Sequence, residues 1–227
     1  STLDRSSAAS DVYKRQIVNC QSDLKKINLS TADIGIEFTN PKSAFENISF
    51  CLKSNLPVVS GSTGWLAELK TIEKICEKYN IILIEDAAEA LGSFFKKRHL
   101  GTFGDAGILS FNGNKPITCG SGGAILTNDK KMSIRLKHLS THAKVPSVVD
   151  HVHDEIGYNY RMSSICAAIG IGQLHNLSYK ISKKREIHKY YKENLSCLKD
   201  IGFLNELDIE VVSNYWLSTI IIKKSST

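Results

Sequence analysis

Residues 81–85, IILIE, form a short apolar run that stops on an acid, directly after a segment, 67–79, in which Leu69, Ile72, Ile75, Cys76 and Tyr79 recur at helical spacing. A run that brief and that continuous predicts a strand covered on both faces, the kind found inside a parallel sheet. A strand reached through a helix pairs in parallel with the strand before that helix, because only an antiparallel neighbour can be reached by a tight turn. The chain is therefore expected to fold as an α/β protein, with helices laid against a sheet.

The same pattern stands upstream. Residues 33–39 (DIGIEFT) read as a strand that Asn40-Pro41 stops, 42–54 as a helix with Ala44, Ile48, Phe50 and Cys51 apolar, and 56–60 (LPVVS) as a second strand before the turn Gly61-Ser62-Thr63-Gly64. Downstream, strands are expected near 106–111 and 123–127 with a glycine-rich connection, then a helix over 129–140 and an irregular loop over 144–160. A long helical stretch follows over 163–197, broken near 176–178, and then a last strand over 215–223. No internal repeat or low-complexity segment is present. Residues 1–16 have neither period nor apolar content. They read as a disordered N-terminus or, since SSAASDVYKRQ resembles translated sequencing-adapter DNA, as an artefact, and they carry no weight in the fold.

Composition narrows the function classes. The 227 residues are 42% hydrophobic and 23% charged, enough to bury a core. The net charge of +6 concentrates at Lys180, Lys183, Lys184, Arg185 and Lys189, but no aromatic residues interleave with these as a nucleic-acid surface would require. A solvated helix face is the reading, with no nucleic-acid partner. The six cysteines, at 20, 51, 76, 119, 166 and 197, have no CxxC spacing and no accompanying histidine cluster. They are expected to be buried small residues in a reducing compartment, without a disulfide frame or a metal site. No apolar run approaches the ~20 residues that span a bilayer, and no signal-peptide pattern opens the chain. A cytoplasmic enzyme without a membrane partner is expected.

The chemistry lies at Asp86, at the end of the 81–85 run, and Lys115, at the end of GILSFNGNK (107–115). Ligands of open α/β sheets bind beyond the carboxyl ends of the strands. A carboxylate there suits the protonated ring nitrogen of pyridoxal phosphate, and a lysine suits its aldehyde as a Schiff-base partner. Ser110, at a strand end, offers a hydroxyl to a phosphate oxygen, and Gly120, Gly122 and Gly123 let backbone approach closely. Taken singly, Asp86 also reads as the cap of a helix beginning at Ala87, and Lys115 as a surface residue after the turn Asn112-Gly113-Asn114.

Five segments taken together resemble one family. IEDAAEALGS (84–93), LGTFGDAGILSFNGNK (100–115), GSGGAILTND (120–129), GYNYRMS (157–163) and AAIGIGQL (167–174) are similar, in order and spacing, to the pyridoxal-phosphate sugar aminotransferases of the DegT/StrS family. The resemblance spans 67–223, and the SFNGNK form is like the branch acting on bacterial surface-glycan amino sugars. It implies a three-layer, mostly parallel sheet, the fold-type I aminotransferase large domain, here incomplete. It also implies transamination of a nucleotide-linked keto-sugar with an amino acid donor such as glutamate, in a homodimer with shared active sites. Lys115 would bond the cofactor and shuttle the proton, Asp86 would pair with the ring nitrogen and Ser110 would bind the phosphate. Asn159 would reach the phosphate of the neighbouring subunit's cofactor, or GYNYRMS is simply a turn entering a helix. Glu89 falls where the family often has Gln or His, a departure in charge.

Residues 33–66 do not fit that family. IEFTNP (36–41) and PVVSGSTGW (57–65) resemble dihydrodipicolinate reductase, a nicotinamide-dependent enzyme of lysine biosynthesis, whose turn near the nicotinamide corresponds to Gly61-Ser62-Thr63-Gly64. That family's glycine-rich dinucleotide loop and its His-His-x-x-Lys segment are absent. The expected organisation is an artefactual or disordered 1–16, a reductase-like βαβ fragment over 17–66, an aminotransferase large-domain portion over 67–200, and the start of a truncated C-terminal domain over 201–227. A chimera joined near Leu66 accounts for this, with one natural protein carrying an unusual N-terminal βαβ unit as the alternative.

Overall fold

The computed structural model describes Leu29 and residues 32–62, 64–146, 151–206 and 209–222. The expectations for 1–16, for Thr63 and for the closing KKSST lie outside those residues. The chain divides into two compact units, Ser1–Ile81 and Ile82–Thr227.

In the first unit, β1 (Gly35–Glu37) and β2 (Val58–Ser60) pair in parallel, and α1 (Pro41–Lys53) connects them. This is the βαβ unit that the sequence predicts. Asn40 caps α1 by accepting from the Lys42 N–H at 3.0 Å, and Pro41 sits in the first turn, where its missing donor costs nothing. A 3-10 turn (Leu66–Glu68) leads into α2 (Leu69–Tyr79), and Asn80 ends it in the left-handed region at φ 53°. Ala44, Ile48, Cys51 and Leu52 of α1 and Leu69, Ile72, Ile75 and Cys76 of α2 are buried, so the apolar stripes supply this unit's core.

In the second unit, β3 (Ile84–Asp86) pairs in parallel with β6 (Ala106–Ser110), and β6 pairs antiparallel with β7 (Gly123–Leu126). Between β3 and β6 in the chain come β4 (Phe94–Phe95) and β5 (Arg98–His99), which pair antiparallel, and β4 also pairs antiparallel with the distant β9 (Val211–Val212). Asp129 caps α3 (Lys130–Ser140), and Ser163 caps α4 (Ser164–His175). α4 gives way at Asn176 to α5 (Leu177–Leu195), which is the break expected near 176–178. β8 (Ile201–Phe203) pairs antiparallel with β10 (Ile220–Ile222).

Three local expectations are corrected. The 81–85 run is not covered on both faces: Ile82 is 62% and Ile84 60% exposed, because these two side chains share one face of the strand and, among the described residues, nothing is packed over it. The strand expected over 215–223 begins only at Ile220, since the Tyr215 and Trp216 N–H groups donate locally, to Ser213 Oγ and Asn214 Oδ1. Not every cysteine is interior: of the five described, Cys51, Cys76 and Cys119 are buried, Cys166 is half-buried and Cys197 is exposed.

A small core fixes the second unit's chemistry. Ala87, Leu91, Leu109 and Ile117 form a buried cluster. Ala87 adjoins Asp86 and Ile117 lies two residues past Lys115, so packing this cluster draws the two polar residues to one end of the sheet. The 100–107 connection is shaped by Glu85, whose carboxylate accepts from the Gly101 N–H at 2.8 Å and the Gly104 N–H at 2.6 Å. Gly107 admits no side chain, because a Cβ there would stand 1.9 Å from the Gly101 carbonyl oxygen.

Candidate active site

Asp86 is the last residue of β3 and is exposed at its carboxyl end. Its Oδ1 accepts from the Ala88 N–H at 3.1 Å, the bond a helix cap would make. No helix follows, however: residues 87–92 form successive turns, so the capping expectation is replaced by an Asx-type turn. That turn projects Glu89 toward Lys115. Lys115 closes a tight turn in which its N–H donates to the Asn112 carbonyl at 3.1 Å, and Pro116 and Ile117 bury the chain just beyond it.

The Lys115 ammonium lies 3.0 Å from Glu89 Oε1. The two ends differ in environment, the lysine side chain being 10% exposed and the glutamate 59%. Over the ammonium, 4.2 Å from its ring centre, lies Trp216, whose indole N–H donates to the Asn114 carbonyl at 2.6 Å. A cavity of about 470 Å³ opens among Asp86, Glu89, Ser93, Asn214, Tyr215 and Trp216. That is within the roughly 300–1,000 Å³ usual for small-molecule sites. Two carboxylates thus line one cavity at the end of β3, and the Lys115 amine pairs with one of them, Glu89, without itself lining it.

The wall opposite the Asp86 turn escaped the sequence reading. Asn214 is 3% exposed, and its side-chain amide donates to the carbonyls of Glu89 at 2.8 Å and Leu91 at 3.0 Å. Its own N–H donates to Ser93 Oγ at 3.0 Å, and its Oδ1 accepts from the Trp216 N–H at 2.8 Å. A polar Ser-Asn-Tyr-Trp stretch before the last apolar run was the available signal. Behind Tyr215 the His188 ring stacks at 3.8 Å, with neither ring nitrogen partnered among the described residues. Burial, reinforced by Lys192 and Arg185, pushes His188 below the usual imidazole range. Glu206, by contrast, is pushed up by burial but held lower overall by its bonds from Arg185 and the Ser213 N–H.

Two other predicted residues stand apart from this cavity. Ser110 Oγ, at the end of β6, is 3.4 Å from the Asn112 N–H and does not line it. Asn159 is exposed and bridges Thr141, in a loop whose Tyr158 and Tyr160 rings stack at 5.2 Å. In that same region His138, Asp154 and Glu155 bring their ligand-type atoms within 4.8 Å of one another, but Arg135 already pairs with Glu155. In the first unit, the buried Glu37 accepts from Ser60 at 2.7 Å, from Ser62 at 3.1 Å and from Thr39. Burial raises its pKa, but these bonds outweigh it and hold the carboxyl low. The reductase-like turn is thus tied to an internally satisfied network through Ser62, with Thr63 outside the described residues.

Comparison with known proteins bears on both units. Residues 56–227 match the DegT/DnrJ/EryC1/StrS aminotransferase family, and residues 2–87 match the N-terminus of dihydrodipicolinate reductase. The two matches overlap across 56–87. GDP-perosamine synthase of Escherichia coli O157:H7 is 36% identical over 207 residues, covering 89% of this chain and 51% of that one. A UDP-4-amino-4,6-dideoxy-N-acetyl-beta-L-altrosamine transaminase of Campylobacter jejuni is 38% identical over 161 residues, covering 70% and 39%. The chain thus spans about half the length, or less, of these curated relatives. Among solved structures, the aminotransferase TlmJ of Streptoalloteichus hindustanus superposes with a TM-score of 0.64 at 26% identity, covering 69% of this chain and 42% of that one. The fold expected from the sequence, part of a fold-type I aminotransferase large domain, is the fold of this neighbour. No described helix is long and apolar enough to cross a membrane.

Proposed function

The chain belongs to the DegT/DnrJ/EryC1/StrS aminotransferase family, and from that membership we propose that it is part of an enzyme transferring an amino group from an amino acid such as glutamate to a nucleotide-linked keto-sugar, in the making of surface-glycan amino sugars. The observation that carries this reading is the cavity that Asp86 and Glu89 line, with Lys115 held against Glu89 and Trp216 at its edge. Relatives named for GDP-perosamine and for a UDP-linked amino sugar support the substrate class. A cysteine pattern without CxxC spacing suits a reducing, cytoplasmic setting.

The donor set fits pyridoxal phosphate: an amine for its aldehyde and a carboxylate for its ring nitrogen, at the ends of parallel strands. Bound there, the cofactor supplies an electron-withdrawing ring and a carbonyl that takes up amino groups. Lys115 would hold it and afterwards carry a proton from the donor's α-carbon on its Nζ. Asp86 would keep the ring nitrogen protonated by its opposite charge. Glu89 would steady the lysine's ammonium, and Trp216 would keep water from it. Ser110 would serve the phosphate, and Asn159 would reach the phosphate bound by a second subunit. The exposed Ile165, Ile169, Ile171 and Leu174, spread around α4, are apolar surface of the kind a second subunit covers.

Titration with pyridoxal phosphate tests the reading. Visible absorbance typical of a protein-bound cofactor should appear with the full chain and be lost in Lys115→Ala. Nicotinamide dinucleotide binding without that absorbance would favour the reductase-type reading that the 2–87 match raises.

A further inference from the structure

The segment 213–216 is held more firmly than a loop needs to be. Tyr215 adopts φ 45°, a left-handed conformation unfavourable for an aromatic residue. Such a conformation persists only where its surroundings over-determine it, and it clusters at functional sites. Here Asn214 bonds to three residues of the 89–93 turn. The Tyr215 ring stacks on His188 and lies under the Arg185 guanidinium at 5.2 Å. The Trp216 carbonyl accepts from Lys184 Nζ at 3.1 Å. Every one of these restraints fixes the indole that touches Lys115.

We propose that Trp216 is a positioning residue for Lys115. Its N–H pins the 112–115 turn through the Asn114 carbonyl, and its face covers one side of the ammonium, leaving the lysine free to approach the cavity from the Glu89 side. A hydrogen bond fixes where the turn sits. A ring face attracts a cation without supplying an acceptor atom, so it holds the amine without competing for the bond the amine is to form. Asn214 links the same indole to the turn that carries Glu89, so both partners of the ion pair are located by one strut. The role toward the cofactor rests on the pyridoxal reading above; the restraint on the lysine does not.

The test uses the full chain with Trp216→Phe, which keeps an aromatic face but loses the donor, and Trp216→Ala, which loses both. Exposed Lys53 of α1 serves as internal reference. Three quantities are read: hydrogen exchange of the Lys115 amide, acetylation of the Lys115 side chain, and the share of borohydride-fixed pyridoxal label on Lys115. In Trp216→Phe the amide is expected to exchange about tenfold faster and the label share to fall about tenfold, the scale of one hydrogen bond with part of a cation–π contact. Acetylation of Lys115 should rise relative to Lys53, and Trp216→Ala should exceed Trp216→Phe on every count. Unchanged exchange and acetylation in Trp216→Phe would overturn the proposal, as would equal increases at all lysines and amides. Absence of pyridoxal label from Lys115 in the unsubstituted chain would instead remove the pyridoxal reading, while exchange and acetylation still decided whether Trp216 positions the lysine.

Discussion

Glu89 and Lys115 meet at 3.0 Å although one stands in the turn after β3 and the other after β6, and nearly all of the solvent exposure of that pair is on the glutamate. An ion pair with one open end is worth little to stability, about 1 kcal/mol or less. Glu89→Gln should therefore shift the urea midpoint only slightly, while acetylation of Lys115 changes clearly. A large loss of stability with unaltered lysine reactivity would mark the pair as structural.

Asn214 is the reverse case, since it is buried and every bond it makes is internal. Asn214→Ala leaves the Glu89 and Leu91 carbonyls without that donor and should cost about 2–3 kcal/mol in urea unfolding. The 89–93 turn should lose hydrogen-exchange protection in the same variant. A shift near zero would mean that water replaces the amide without penalty.

His188 predicts a pH dependence. Its folded-state pKa lies below the ordinary 6.5, chiefly through burial, with Lys192 and Arg185 adding to it and Glu206 opposing it. A depressed imidazole contributes stability that is present above the unfolded value and lost as pH falls through the folded one. Stability should thus decline as pH drops below about 6.5. His188→Phe, which keeps a ring against Tyr215, should flatten that part of the decline. Carboxylates such as Glu206, also depressed, act only further down, below about 4.5. Parallel pH profiles for the two proteins would refute the assignment.

Sequence patterning reveals whatever is repetitive and local. The spacing of Leu69, Ile72, Ile75 and Cys76 is enough to place α2, and the turn chemistry of Asn40-Pro41 is enough to start α1. Asp86 and Lys115 stand out as candidates because strand ends collect ligands and their motifs are distinctive. Trp216 and Asn214 are not, since the bonds that give them a role reach 102 and 125 residues back along the chain. Nor does an apolar run say whether anything lies against it. The IILIE segment looks interior, yet Ile82 and Ile84 stand exposed at a sheet edge.

That exposure has a consequence in solution. Ile36 and Phe38 in the first unit and Ile82 and Ile84 in the second are all open to solvent. Apolar surface of this kind favours association. In size-exclusion chromatography the chain should elute as aggregate that grows with concentration. A sharp monomer peak at all concentrations would contradict this.

The assignment of Lys115 as the cofactor-bearing residue is tested most directly by peptide mapping after borohydride reduction in the presence of pyridoxal phosphate. The account predicts that the reduced label concentrates on the peptide containing Lys115, and that Asp86→Ala preserves this label while lowering turnover of the full-length enzyme by orders of magnitude. Label concentrated on another lysine, or spread evenly over the surface lysines, would contradict it.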